Sequence, residues 1–172
     1  MNCKAETQDQ QPSGQALETS IRQHPFLAGM SPHQFRILSD CAMPRRFLAN
    51  EIILREGDPA DRFYLLQKGH VALESHGTAQ GATRIQTIGA GEVLGWSWLF
   101  PPYLWHFDAR ALEPTEAVFF YATPLREECE SDHELGYELT KRMAAVMLQR
   151  LQAARRRSLE LAGAQTSAQA KG

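Results

Sequence analysis

Between Arg46 and Tyr121 the chain is cut into seven short apolar, aromatic or β-branched runs. They are Arg46–Leu48, Glu51–Arg55, Arg62–Gln67, His70–Glu74, Thr83–Ile88, Phe107–Ala111 and Ala117–Tyr121, with turn-forming EGDPAD, KGH, SHGTAQGAT and GAGE among them. Short strands at such spacing bury a face only by closing on themselves or on a second sheet. The pattern therefore predicts a small antiparallel barrel or sandwich. The periodicity changes at both ends. Ser31-Pro32-His33-Gln34 reads as a capping box with proline at the first helical position. The helix it starts carries Phe35, Ile37, Leu38 and Cys41 on its apolar side, and Pro44 is expected to stop it. Ser131-Asp132-His133-Glu134 reads as a second box, ahead of ELGYELTKRMAAVMLQRLQAARRRSLEL. There Leu135, Leu139, Met143, Val146, Met147, Leu151 and Ala154 recur at steps of three and four, giving one apolar stripe. Acids cluster before its start and bases come after, as the helix dipole favours.

These elements define a domain over residues 19–160. The polar segments 1–18 and 161–172 lack apolar periodicity and are expected to be disordered tails. No apolar run approaches the roughly 18 residues of a membrane span. MNCKAETQDQQPSGQ has no apolar core of a signal peptide, so the expected location is cytoplasmic, away from membranes. The net charge of −2 disfavours a chain that seeks nucleic acid as a whole. Cys3, Cys41 and Cys129 are too far apart in sequence to read as a redox or zinc pair, and the six histidines show no metal-ligand spacing. Glu51, Glu56, Asp58 and Asp61 fall in a strand–turn segment, and no serine or cysteine sits in a nucleophile motif. No catalytic constellation is present, and no enzyme, metal or cofactor is expected.

One stretch is unusual. GEVLGWSWLFPPYLWHFDARA, Gly91 to Ala111, holds all three tryptophans: Trp96, Trp98 and Trp105. Gly91 and Gly95 have the spacing of a tight turn that brings backbone N–H groups near a ligand. The residues after Gly95 are bulky, aromatic and uncharged.

The order of these features resembles the cyclic-nucleotide-binding domain of the Crp/Fnr-type regulators. HPFLAGMSPHQFRIL (24–38) is similar to the family's entry helices. FLANEIILREGDPADRFYLLQKGHVAL (47–73) is similar to its early strands, with Gly57 and Gly69 at turn glycines. IGAGEVLGW (88–96) is similar to the entry of the phosphate-binding cassette, and DHELGYELTKRMAAVMLQRLQAARRR (132–157) to the long pairing helix. The resemblance implies a mainly β fold with α: a double-stranded β-helix, or jelly-roll barrel, with N-terminal helices and a long C-terminal helix. It places the ligand pocket at Gly91, Glu92, Gly95, Trp96, Ser97, Trp98, Trp105 and His106. In the family, a glycine turn and a helix N-terminus meet a cyclic phosphate, an acid takes the ribose hydroxyl and an arginine supplies charge. Here Gly95 matches the turn glycine. Trp96 stands at the acid's position and Trp105 at the arginine's.

Burying a phosphodiester without a cation partner is costly, so cAMP is not the expected ligand. Arg110 lies close in sequence, but it alternates with Ala109 and Ala111 and is expected to face outward. Three readings stay open: a sensor for another small molecule of unknown identity, an interaction module whose pocket is plugged by its own indoles, and an atypical cyclic-nucleotide receptor. The Arg155–Arg157 run reads as a solvated helix end. About 15 residues come after it, too few for a helix-turn-helix, so sequence-specific DNA binding by this chain alone is not expected. The last helix, about residues 133–160, is longer than a small barrel covers. Leu139, Met143, Val146, Met147 and Leu151 are expected to form the seam of a homodimer.

Overall fold

The computed structural model describes residues 14–78 and 81–169. Eight strands form two four-stranded antiparallel sheets: β1 (Ala42–Phe47), β2 (Ile52–Leu54), β3 (Arg62–Lys68), β4 (His70–Thr78), β5 (Gly81–Gly89), β6 (Val93–Leu94), β7 (Asp108–Ala111) and β8 (Thr115–Tyr121). Their orders are β1-β8-β3-β6 and β2-β7-β4-β5. The sheets face each other as a jelly roll, and helices α1 (Gly14–Gln23), α2 (Pro32–Asp40), α3 (Ala122–Ser131) and α4 (His133–Gln169) pack outside the first.

Side-chain alternation explains why β3 and β8 read as nearly continuous apolar runs. Tyr64, Leu66, Ala117 and Phe119 point into the roll, where they meet Val71, Leu73, Ile88 and Phe107. Phe63, Leu65, Val118 and Phe120 point the other way, against Phe26, Leu38, Leu125, Leu135 and Leu139 of the helical layer. These two strands are buried on both faces, so neither face needs polar residues. By contrast, Ala109 and Ala111 are interior while Arg110 turns outward to Glu74, 3.2 Å away, as the alternation predicts.

Several boundaries differ from expectation. The segment expected as a tail through residue 18 becomes helical at Gly14, and Ile21 of that helix is wholly buried. The other expected tail, from 161, stays helical to Gln169. Pro44 does not end α2, which stops at Asp40 with Cys41 as its cap. Pro44 instead sits in β1 at the sheet edge, where a missing N–H is tolerated. The box at Ser31 forms as expected, with Gln34 N–H donating to Ser31 Oγ and Ser31 N–H to Gln34 Oε1. The box at Ser131 does not. Ser131 ends α3, its hydroxyl donating to Glu127 O at 3.0 Å, and Asp132 Oδ1 caps α4 by accepting from Glu134 and Leu135 N–H. Helix α3 lacks a sequence signature, because no side chain caps it and Pro124 reads as a breaker; in the first turn proline costs little.

At 37 residues, α4 is about 55 Å long at 1.5 Å per residue. Its first turns lie on the roll, with Leu135, Leu139 and Met143 at most 1% exposed. Among the described residues no helix is long and apolar enough to cross a membrane.

Candidate functional site

The turn from β5 to β6 is pinned to the backbone of β3. Gly91 N–H donates to Leu66 O at 2.8 Å, and Leu66 N–H donates to Glu92 O at 3.0 Å. The Glu92 side chain is turned back, its Oε2 accepting from Gly89 N–H at 2.8 Å. The carboxylate thus staples the turn and does not enter the roll.

After β6 the chain reaches Gly95 at φ +87°, a conformation that favours glycine. A second constraint acts at the same place. A Cβ on Gly95 would lie 2.7 Å from Trp105 Cζ3 and 2.8 Å from Cη2. The Trp105 indole is laid directly against the turn glycine and is 4% exposed within the roll's interior cluster. Hydrogen bonds from Trp105 N–H to Asp58 O and from Gly57 N–H to Trp105 O fix its backbone, both at 2.9 Å. The space over the turn glycine is therefore filled by carbon.

The remaining site residues separate into three places. Trp96 bridges the two cores and meets Phe107 edge-on at 5.8 Å between centroids. Ser97, 1% exposed, shares a 3.0 Å hydrogen bond with Nδ1 of the exposed His106. Trp98 is not a pocket residue. It lies wholly buried in the helical layer, stacked on Phe63 at 5.1 Å. The structure thus brings Gly95 to Trp105 and Ser97 to His106, and it sends Glu92 and Trp98 elsewhere.

One group here was missed in the sequence: Arg150 of α4. Its guanidinium lies 4.9 Å over the Trp96 ring, and Nη2 donates to Val93 O. It is only 9% exposed, and burial holds its pKa down at about 10. Arg142 Nη1 donates to Phe26 O at 2.7 Å, and Arg157 Nη1 donates to Ile85 O. At 100° per residue, positions 142, 150 and 157 fall on one side of the helix. These arginines fasten α4 to the roll. In the sequence Arg150 projects on the same side as Met143 and Val146, which hints at burial but does not reveal its partners.

His24 joins the entry segment to the same turn. Its Nε2 donates to Leu66 O, the carbonyl that also takes Gly91 N–H, and its Nδ1 accepts Phe26 N–H, both at 3.2 Å. Burial pushes the imidazole below its ordinary value. The unfolded chain then binds a proton that the folded chain refuses, so stability falls as pH drops below about 6.5 and toward the folded value. His24→Asn keeps a capping acceptor without titrating. Urea midpoints between pH 7.5 and 5.5 are expected to fall less in that variant than in the parent; equal slopes would remove His24 from this role.

A model of the cyclic nucleotide-binding domain family matches residues 44–132. A cAMP-dependent protein kinase regulatory subunit of Hypocrea atroviridis is 33% identical over 55 residues, which cover 32% of this chain and 12% of the relative. The match therefore spans about an eighth of that curated relative. A cyclic nucleotide-binding domain structure from Methylobacillus flagellatus has a TM-score of 0.72 at 19% identity, covering 86% of this chain and 83% of its own. The regulatory subunit of a cAMP-independent protein kinase A from Trypanosoma cruzi, bound to guanosine, has a TM-score of 0.60 at 18% identity, covering 69% of this chain and 42% of its own.

Proposed function

Because this chain belongs to the cyclic nucleotide-binding domain family, we propose that it is a non-catalytic regulatory module whose cassette is closed by its own side chains and does not take cAMP. The observation that carries this is the Trp105 indole against Gly95. A phosphate over that glycine would collide with carbon and find no guanidinium at position 105. Trp96 replaces the carboxylate that would hold a ribose, and Arg150 stacks on that indole from α4. Arg110 is paired with Glu74 outside the roll and offers no substitute.

The module's output is carried by α4. The expected dimer seam is displaced: Leu139 and Met143 lie in the protomer's own core, and Val146 and Met147 are half-buried. Tyr137, Leu148, Leu151 and Leu159 are 66%, 55%, 67% and 64% exposed. With Ala144 they recur at steps of seven, four, three and eight on the side away from the roll. This stripe is the surface through which two copies pair.

A sensor for another small molecule is the second reading, favoured by Trp96, which is only partly buried. Titration of tryptophan fluorescence with a set of flat apolar metabolites separates the two. The closed module gives no saturable change, whereas saturable quenching by one compound establishes the sensor.

A further inference from the structure

We propose that pairing of α4 creates a site for a small polyvalent oxyanion, held between Arg155 and its copy in a second chain. The site rests on the pairing surface proposed above and is incomplete in one protomer. By helical spacing Arg155 lies within about 40° of Leu148, Leu151 and Leu159, so it stands inside the exposed apolar stripe and not beside it. This face is turned from the roll, whereas Arg142, Arg150 and Arg157 fasten the opposite side. Gln152, Arg155, Arg156 and Leu159 line a shallow hollow of about 420 Å³ on it.

A cation in the middle of a leucine stripe is what points to a ligand. When two such helices pair in parallel about a two-fold axis, Leu151 and Leu159 draw each Arg155 stem against its copy, and two guanidiniums of like charge converge. Helix α4 supplies nothing to neutralise them, for it has no acid between Glu138 and Glu160. Glu138 is engaged with Lys141 and Arg142, about 25 Å back along the helix. Glu160 is turned about 140° away from Arg155. Arg155 and Arg156 are both exposed, and neither has an ion-pair partner among the described residues. An oxyanion with two or more charges supplies what is missing, because each guanidinium presents a fork of donors to a pair of oxygens. A monovalent ion satisfies one fork, whereas a polyvalent one bridges both chains. Gln152 and Arg156 at the rim add an amide donor and a further charge. Phosphoryl and carboxylate groups both meet these requirements.

Sedimentation equilibrium of the full chain is the test, with sodium pyrophosphate and, separately, sodium citrate at about 1 mM, the ionic strength being held constant with sodium chloride. Arg155→Leu completes the apolar stripe at an exposed position and registers any general salting-out of an apolar seam. Arg155→Gln removes the charge without adding apolar surface, and it stands in if the leucine variant aggregates. The parent is expected to dimerise at least about tenfold more tightly with one of the two anions, and the stronger one identifies the headgroup. Arg155→Leu is expected to dimerise more tightly than the parent without anion, and neither variant is expected to respond to pyrophosphate or citrate. A parent dimer that neither anion tightens, or equal tightening of the variants, overturns the site and leaves the seam standing. Monomers in every sample overturn both.

Discussion

Replacing Trp105 with alanine is expected to lower the unfolding free energy by about 3–5 kcal/mol, the range for a buried aromatic truncated in a core. The ring is 4% exposed and shares its cluster with Phe107, Leu66 and Leu94. Gly95 has no side chain to collapse into the space, and its backbone is held at positive φ by the turn. The variant therefore keeps a cavity beside the turn glycine. Cavities lined by apolar atoms stay dry and accept apolar guests. Millimolar indole is expected to raise the melting temperature of Trp105→Ala and to leave the parent unchanged, by mass action on the folded state alone. A cost under about 1 kcal/mol, or indole stabilising both proteins equally, would show that this ring does not fill the cassette.

The second large effect concerns α4. Leu148 and Leu151 are more than half exposed in the protomer. A glutamate pair there is expected to leave helicity and thermal unfolding of the isolated protomer nearly unchanged. Across a two-fold seam the same charges face their copies, and dissociation is expected to be at least 100-fold easier, about 2.7 kcal/mol. Leu139→Glu is the contrast. That side chain is wholly buried against the roll, so the substitution unfolds the protomer and does not simply separate two copies. Sedimentation equilibrium reads both. A parent chain that sediments as a monomer at tens of micromolar removes the seam.

How much of the fold is legible in the sequence depends on how local each signal is. Turn glycines and short β runs mark seven of the eight strands, because each needs only its own residues. Strand β6 is two residues long and is absorbed into the turn that precedes the tryptophans. Gly95 and Trp105 can be named as opposing features from the family's order. That the indole rests on the glycine cannot, since the contact spans the cassette loop and depends on backbone bonds to Gly57 and Asp58. Trp96, Trp98 and Trp105 look alike as a cluster, yet they occupy three environments. Trp98 goes with the short helical turn into the other core, a choice set by stacking on Phe63. On α4, spacing alone identifies an apolar stripe but not which part of it the roll covers. Leu139 and Leu151 are twelve residues apart on one helix, and only the first has β3 and β8 beneath it. Arg150 reads in the sequence as one of many solvated bases because its partners, Trp96 and Val93, are more than 50 residues away in the chain.

The proposed function requires that Trp105, with Trp96 beside it, closes the cassette to nucleotide. Isothermal titration of the chain with cAMP tests that most directly. No saturable heat up to millimolar nucleotide is the expected result, in the parent and equally in Trp105→Ala, which gains space but no cation. Saturable binding of one cAMP per chain at micromolar affinity would contradict the account, because a phosphate would then be held at a glycine turn that the indole of Trp105 already covers.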